Sequence, residues 1–317
     1  MTNETSNGNI HRAKFVLFLI FQIPSLILSI LFFIYFFKHR NIMFIRQNQG
    51  LLILMIINFL QVSIDMSMVI HFNRLGYVSP ATPIYCTWWT FLEYTFFVGG
   101  EMVMSVISIQ RHIFVFKTNL FNNRLYLYLF HHFPLLFFVV YPVVLYLIII
   151  IFDSCDGTQW DYQSNVCGLA NCYLIYNTVL ATCDWAINNG LPIVVISLAN
   201  ISLIFRVVAQ KRRTIGHVSW RKQRRMTIQL LSISCIYFIG WFPNLIIGVI
   251  QQLYLPTFLM DIQLDYVFNL VYFICLLLPW IYLGLFPQFK QWLHKMMLSN
   301  RVWAIENTVE PTNTRRR

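Results

Sequence analysis

Charge is scarce in this chain. Asp, Glu, Lys and Arg make up 11% of its 317 residues, whereas 58% are hydrophobic and the mean hydropathy is +0.61. That balance excludes a soluble domain with a polar exterior and points to an integral membrane protein. Negative charge is scarcer still, with 12 acids against 23 Lys and Arg. Of eight histidines only His131-His132 form a pair, which argues against a histidine-ligated metal centre and against an enzyme; no cofactor is implied. The two halves show no repeat with paired broken spans, the pattern expected of a solute transporter, so membrane transport stands as the alternative function. A small-residue cleavage site after the first apolar run is also lacking, so that run reads as a retained span rather than a signal peptide.

Long apolar runs are what the chain has. They cover Phe15 to Phe37, Gln49 to Ile70, Ile84 to Phe116, Leu127 to Ile151, Trp185 to Ala209, Thr227 to Gln251 and Ile262 to Phe286, each long enough to span the hydrocarbon core as a helix. The expected fold is therefore an all-α, seven-transmembrane helix bundle over residues 15–286, preceded by a polar segment 1–14 carrying an Asn3-Glu4-Thr5 glycosylation sequon. After it, Pro287 to Met297 places Phe289, Trp292, Leu293 and Met296 on one side, the pattern of a short amphipathic eighth helix lying on the membrane. Residues 298–317 read as a disordered polar tail.

Seven spans put the termini on opposite sides. Alternating from the N-terminus, one side holds Arg12, Lys14 and Arg74, and the other holds the remaining 20 of the 23 Lys and Arg. The positive-inside rule then makes the N-terminus and the loop from Phe152 to Asp184 external, with the Arg206 to Arg225 segment and the tail cytoplasmic. Asp153, Asp156, Asp161, Asp261 and Asp265 all fall in outer loops. The net charge of +11 is thus an inner-surface charge facing anionic lipid, and no nucleic-acid partner is implied.

The third run organises the rest. From Cys86 to Arg111 it covers roughly 37 Å, more than the hydrocarbon core, so one end meets each surface. Glu93 and Glu101 lie between, in an otherwise apolar and aromatic helix where an ionisable residue marks function. Cys86 shares the outer side with Cys155, Cys167 and Cys172, so disulfides are expected. A bridge from Cys86 would pin the long loop across the bundle mouth; Cys172 is the favoured partner and Cys167 the alternative. Cys183, Cys235 and Cys275 read as packing residues.

The Cys86-to-Arg111 spacing, Gly240-Trp241-Phe242-Pro243, Pro192, and Pro279-Trp280-Ile281-Tyr282 followed by Phe289 resemble the rhodopsin-like (class A) G-protein-coupled receptors, over essentially the whole chain. The resemblance implies a plasma-membrane receptor that binds an extracellular small molecule or peptide and activates a heterotrimeric G protein. It places Arg111, Gln110, His112, Pro243, Pro279 and Tyr282 in activation, and Glu93, Phe97, Trp241, Asn244 and Tyr272 at the ligand. Glu93 matches the carboxylate that pairs with ammonium in amine receptors of the family, and Tyr272 a tyrosine that braces it. Pro243 and Pro279 would act as hinges, with Trp241 reporting ligand contact to the first.

Three departures carry consequences. The family's Asp/Glu-Arg-Tyr is Gln110-Arg111-His112, and Gln223 stands where relatives place an acid, so an ionic restraint between the third and sixth helices is missing and appreciable basal signalling is expected. The family's sodium site is degraded to Asn58, Gly100 and Leu278, and Asp65, two turns further out, is not expected to replace it. Glu101 is expected to be a hydrogen-bonded, protonated core residue.

Overall fold

The computed structural model describes residues 2–43, 45–116, 123–153, 155–211, 217–255 and 258–308, and among them every regular element is helical. Taken in order these are α1 (Thr2–Lys38), α2 (Asn48–Leu75), α3 (Pro83–Phe116), α4 (Arg124–Phe152), α5 (Thr178–Phe205), α6 (His217–Leu253), α7 (Phe268–Leu285) and α8 (Pro287–Thr308). Stretches of α1 to α6 are long and apolar enough to cross a membrane, while α7 passes that test only together with α8, from which it is bent by 84°. The fold is a helical bundle of multi-pass membrane type, with six to seven candidate spans.

Burial explains the arrangement. The apolar stretch of α3 is 78% buried, against 28% for α4 and 33% for α1. α3 packs on α2, α4, α5 and α6, while α1 packs on α2 and α7, and α6 on both α5 and α7, closing a ring around it. Leucine, isoleucine and phenylalanine on the outward faces stay exposed, as a lipid-facing surface requires, and aromatic and aliphatic side chains together fill the inside. α8 tucks its apolar side onto α1: Phe289 is fully buried, its ring 4.9 Å from Phe32, and Trp292 lies 5.6 Å from Tyr35.

Two boundaries differ from expectation. α1 begins at Thr2, so most of the polar segment 1–14 is already helical, and α8 runs past Met297 to Thr308 rather than giving way to a tail there. In both places a polar stretch continues an apolar helix with no proline at the junction, and at the N-terminus the helix runs through Gly8. The side chains of Asn3, Gln223 and the basic Arg206 to Arg225 segment lie outside the described residues.

Several spans contain a wider π-type turn, and the one at Gln61–Asp65 matters most. One extra residue per turn re-aims the side chains beyond it. Gln61, Val62 and Asp65 are all buried there, facing α3 and α7.

Candidate functional site

One end of the bundle is covered by the loop between α4 and α5. Cys86 pairs with Cys167 and Cys155 with Cys172, at Cα separations of 5.8 Å and 5.9 Å. The favoured Cys86–Cys172 pairing is therefore corrected to its alternative. Cys172 opens a short helix, Cys172–Tyr176, whose start is drawn back to Cys155, whereas a left-handed run at Val166, Cys167, Gly168 and Leu169 (φ 50°, 53°, 74° and 54°) turns Cys167 down onto α3. That conformation costs a non-glycine residue on the order of 1–2 kcal/mol, and most for β-branched Val166, so the segment needs outside support. The cystine supplies it, along with the Asp161 N–H, which donates to the Cys167 carbonyl at 3.2 Å.

Beneath this loop is a cavity of about 500 Å³. Gly168, Leu169 and Ala170 form part of its roof; Glu93, Tyr94 and Phe97 of α3, Trp185 and Asn189 of α5, and Trp241, Asn244 and Gln251 of α6 form its walls. Of the expected ligand residues, Glu93, Phe97, Trp241 and Asn244 line it together. Tyr272 stands behind Glu93 instead, donating its O–H to Glu93 Oε1 at 2.8 Å while accepting from Asn165 Nδ2 of the loop at 3.3 Å. The covering loop is thereby tied to the carboxyl group through one tyrosine. Phe97 packs on Tyr272 at 5.7 Å and edge-on against Trp241 at 5.5 Å, forming an unbroken contact path from Glu93 to α6. Trp241 lies two residues before Pro243, and α6 continues through that proline as α7 does through Pro279.

Sequence reasoning missed several members. Gln263, in a π-type turn just before α7, donates to Asn244 Oδ1 and accepts from Gln251 at 2.7 Å, so an amide chain joins α6 to α7 at the cavity rim. Asp65 is the larger omission. It is fully buried, accepts from Trp89 Nε1 at 3.2 Å, and sits beside Glu93. Its position two turns from Asn58 was visible in the sequence, but the π-type turn that aims it at α3 was not.

Glu101 is buried at 1% exposure, yet among the described residues neither of its oxygens has a hydrogen-bond partner. The expected hydrogen bonds are absent because its surroundings are Ile193, Ile196, Tyr237, Phe238 and Trp241, mostly apolar surface.

At the opposite end of α3, Gln110 turns away from Arg111. Its Nε2 donates to the carbonyls of Phe130 and His131 at 3.1 and 3.2 Å, and its Oε1 faces His131 Nδ1 at 3.1 Å; Gln49 Oε1 lies 2.8 Å from His131 Nε2. The amide thus welds α3 to α4 and α2. His112 reaches the Ala199 carbonyl of α5 at 2.6 Å. Arg111 is 3% exposed, not splayed toward headgroups, and no acceptor among the described residues hydrogen-bonds its guanidinium. On α7, Tyr282 is fully buried and donates to the Leu51 carbonyl at 3.3 Å, and on α2 the Asn58 Nδ2 finds no acceptor among the described residues.

The arrangement offers one acid in a roofed, aromatic and amide-lined cavity at one end of α3, and one buried cation at the other. No protein-family model matches the sequence, and no curated protein matches it significantly.

Proposed function

We propose that the chain is a seven-helix receptor of rhodopsin-like type, which binds an extracellular ligand in the Glu93 cavity and activates a heterotrimeric G protein at the Arg111 end. α7 is the seventh span: helical turns run without a break from Met260 to Leu285, about 39 Å at 1.5 Å per residue. α8 then leaves at 84° along the membrane surface. The 20-to-3 division of basic residues supports an orientation with the covered cavity outside and the tail in the cytoplasm, and a receptor of this type would sit in the plasma membrane.

The observation that carries this reading is the continuity along one helix. A ligand in the cavity touches Glu93, Phe97 and Trp241, and Trp241 sits on the α6 segment that bends at Pro243. A ligand favouring one packing of these rings shifts the population of α6 positions at the far end. There Arg111 is buried and no acceptor among the described residues hydrogen-bonds it, a state that favours a partner bringing carbonyls or carboxylates into the opening. Because Gln110 is committed to α4, nothing acidic holds Arg111 in place, and ligand-independent nucleotide exchange follows. The cavity's single lining acid together with aromatic walls fits an ammonium group, on a small amine or a basic peptide.

A screen of amines and basic peptides against several G-protein exchange reporters tests the reading, with Glu93→Gln as control. Responses to cations that disappear in the variant support it. Solute flux across vesicles with no nucleotide exchange on any G protein would replace it with a transporter.

A further inference from the structure

Asp65 and Glu93 form a pair that neither the seven-helix reading nor its ligand site has yet used. Asp65 is fully buried and Glu93 4% exposed. Each has one oxygen occupied: Asp65 Oδ1 by the Trp89 indole N–H, Glu93 Oε1 by the Tyr272 hydroxyl. Each has one oxygen without a donor, Asp65 Oδ2 and Glu93 Oε2. Trp89 stands one helical turn before Glu93 on α3, so the acid it holds lies beside Glu93. Two bare carboxylates so placed repel, and a single proton between the two unoccupied oxygens satisfies both. The groups facing the pair are Tyr85, Trp89 and Tyr94 of α3 and Tyr272 and Cys275 of α7, all neutral; no lysine, arginine or histidine is among them.

Only Glu93 of the two lines the cavity. The position of the shared proton therefore decides what an occupant meets. With the proton on Glu93, the cavity faces a neutral acid and the charge is hidden at Asp65. With the proton on Asp65, its O–H donates to Glu93 Oε2 while Tyr272 donates to Oε1, and the cavity faces a carboxylate held by two donors.

We propose that Asp65 is a positioning residue for a monocationic ammonium ligand, accepting the shared proton from Glu93 when the ligand binds, so that recognition needs no proton exchange with solvent. The proposal rests on reading the cavity as a ligand site. Its charge balance favours one ammonium: carboxylate, proton-bearing partner and monocation sum to zero in a site where uncompensated charge is costly. A dication would reach the same balance only by expelling the proton.

Two measurements on the purified full-length protein test this. The first needs no ligand. In a Glu101→Gln background, which removes the other buried acid of α3, infrared spectra at neutral pH should contain a protonated-carboxyl C=O band that shifts or disappears in both Asp65→Asn and Glu93→Gln. A band unchanged by either substitution overturns the shared proton. The second uses phenethylammonium and 1,4-butanediammonium as probes in titration calorimetry, repeated in buffers of different ionisation enthalpy. Phenethylammonium should bind with no net proton change. Asp65→Asn, whose amide still donates to Glu93, should retain affinity within about threefold, Asp65→Leu should lose roughly tenfold for one charge-assisted hydrogen bond, and Glu93→Gln should abolish binding. Asp65→Asn as damaging as Glu93→Gln, or one proton released per phenethylammonium, overturns the positioning role. Failure of both probes on the unaltered protein overturns the amine reading of the cavity and the positioning role with it, while the infrared result still decides separately whether the proton is shared.

Discussion

Asp184 and Glu101 are both buried acids in spans, and they make opposite demands on the fold. Asp184 Oδ1 accepts from Tyr146 at 2.9 Å and Asn188 at 2.6 Å, and Oδ2 from Tyr173 at 2.9 Å, so one carboxylate ties α5 to α4 and to the covering loop. Tyr141 extends the network by donating to Asn188 at 2.9 Å. Replacing Asp184 with Leu leaves two phenols and an amide without their acceptor, and should lower stability by about 3 kcal/mol; Asn, which keeps an acceptor oxygen, should cost about 1 kcal/mol. Thermal unfolding of the detergent-solubilised protein orders the two, and equal losses would mean the hydrogen bonds are not what holds the acid. Glu101 has no partner on either oxygen among the described residues. Glu101→Leu removes that unsatisfied carboxyl and should raise stability by about 1–3 kcal/mol in the same assay; a loss would imply a bonded water that the carboxyl serves. The sequence puts Asp184 at the end of the outer loop and Glu101 within a span, but it does not show which is satisfied: of the donors to Asp184 only Asn188 is a near neighbour, and the two phenols come from 11 and 38 positions away.

At the scale of helices, α6 meets α7 closely at Gly240, three residues before Pro243. A methyl group there would fall inside van der Waals contact of the Ile274 side chain. Gly240→Ala should push α6 outward and cost on the order of 1–3 kcal/mol, and trimming the obstacle with Ile274→Ala should give a double mutant more stable than the sum of the two losses. Additive losses would place the strain elsewhere. Gly248 makes the same kind of opening for the Trp185 indole, whose atoms come within 2.5 Å of where a side chain would begin. Helices were the most legible feature of this chain, because runs of twenty apolar residues allow few other structures in a membrane. Their wider turns were not legible, since an added residue in a helical turn leaves no mark on apolar periodicity. The pairing of Cys86 was equally hidden: Cys167 and Cys172 differ by five positions, and a left-handed run at residues without glycine preference decided between them.

For the whole molecule, the two ends of α3 carry different chemistry, as the proposed orientation requires. The disulfides, the acid-bearing loop and the Glu93 cavity share one end; Gln110, Arg111 and His112 share the other. Disulfides persist in an oxidising exterior, and arginine and lysine accumulate on the cytoplasmic side, so two unrelated constraints favour the same proposed orientation. An orientation with the tail outside would move 20 basic residues to the disfavoured side and leave four paired cysteines in a reducing one. In intact cells, then, a membrane-impermeant maleimide added after mild reduction should label Cys155 and Cys172, while an epitope appended after Arg317 should become visible only once the membrane is permeabilised. Labelling of the loop together with an accessible tail epitope would mean an even number of crossings. α7 and α8 would then enter and leave through one face, and the seventh span would be lost, while Arg111 would stay on the side opposite the labelled loop.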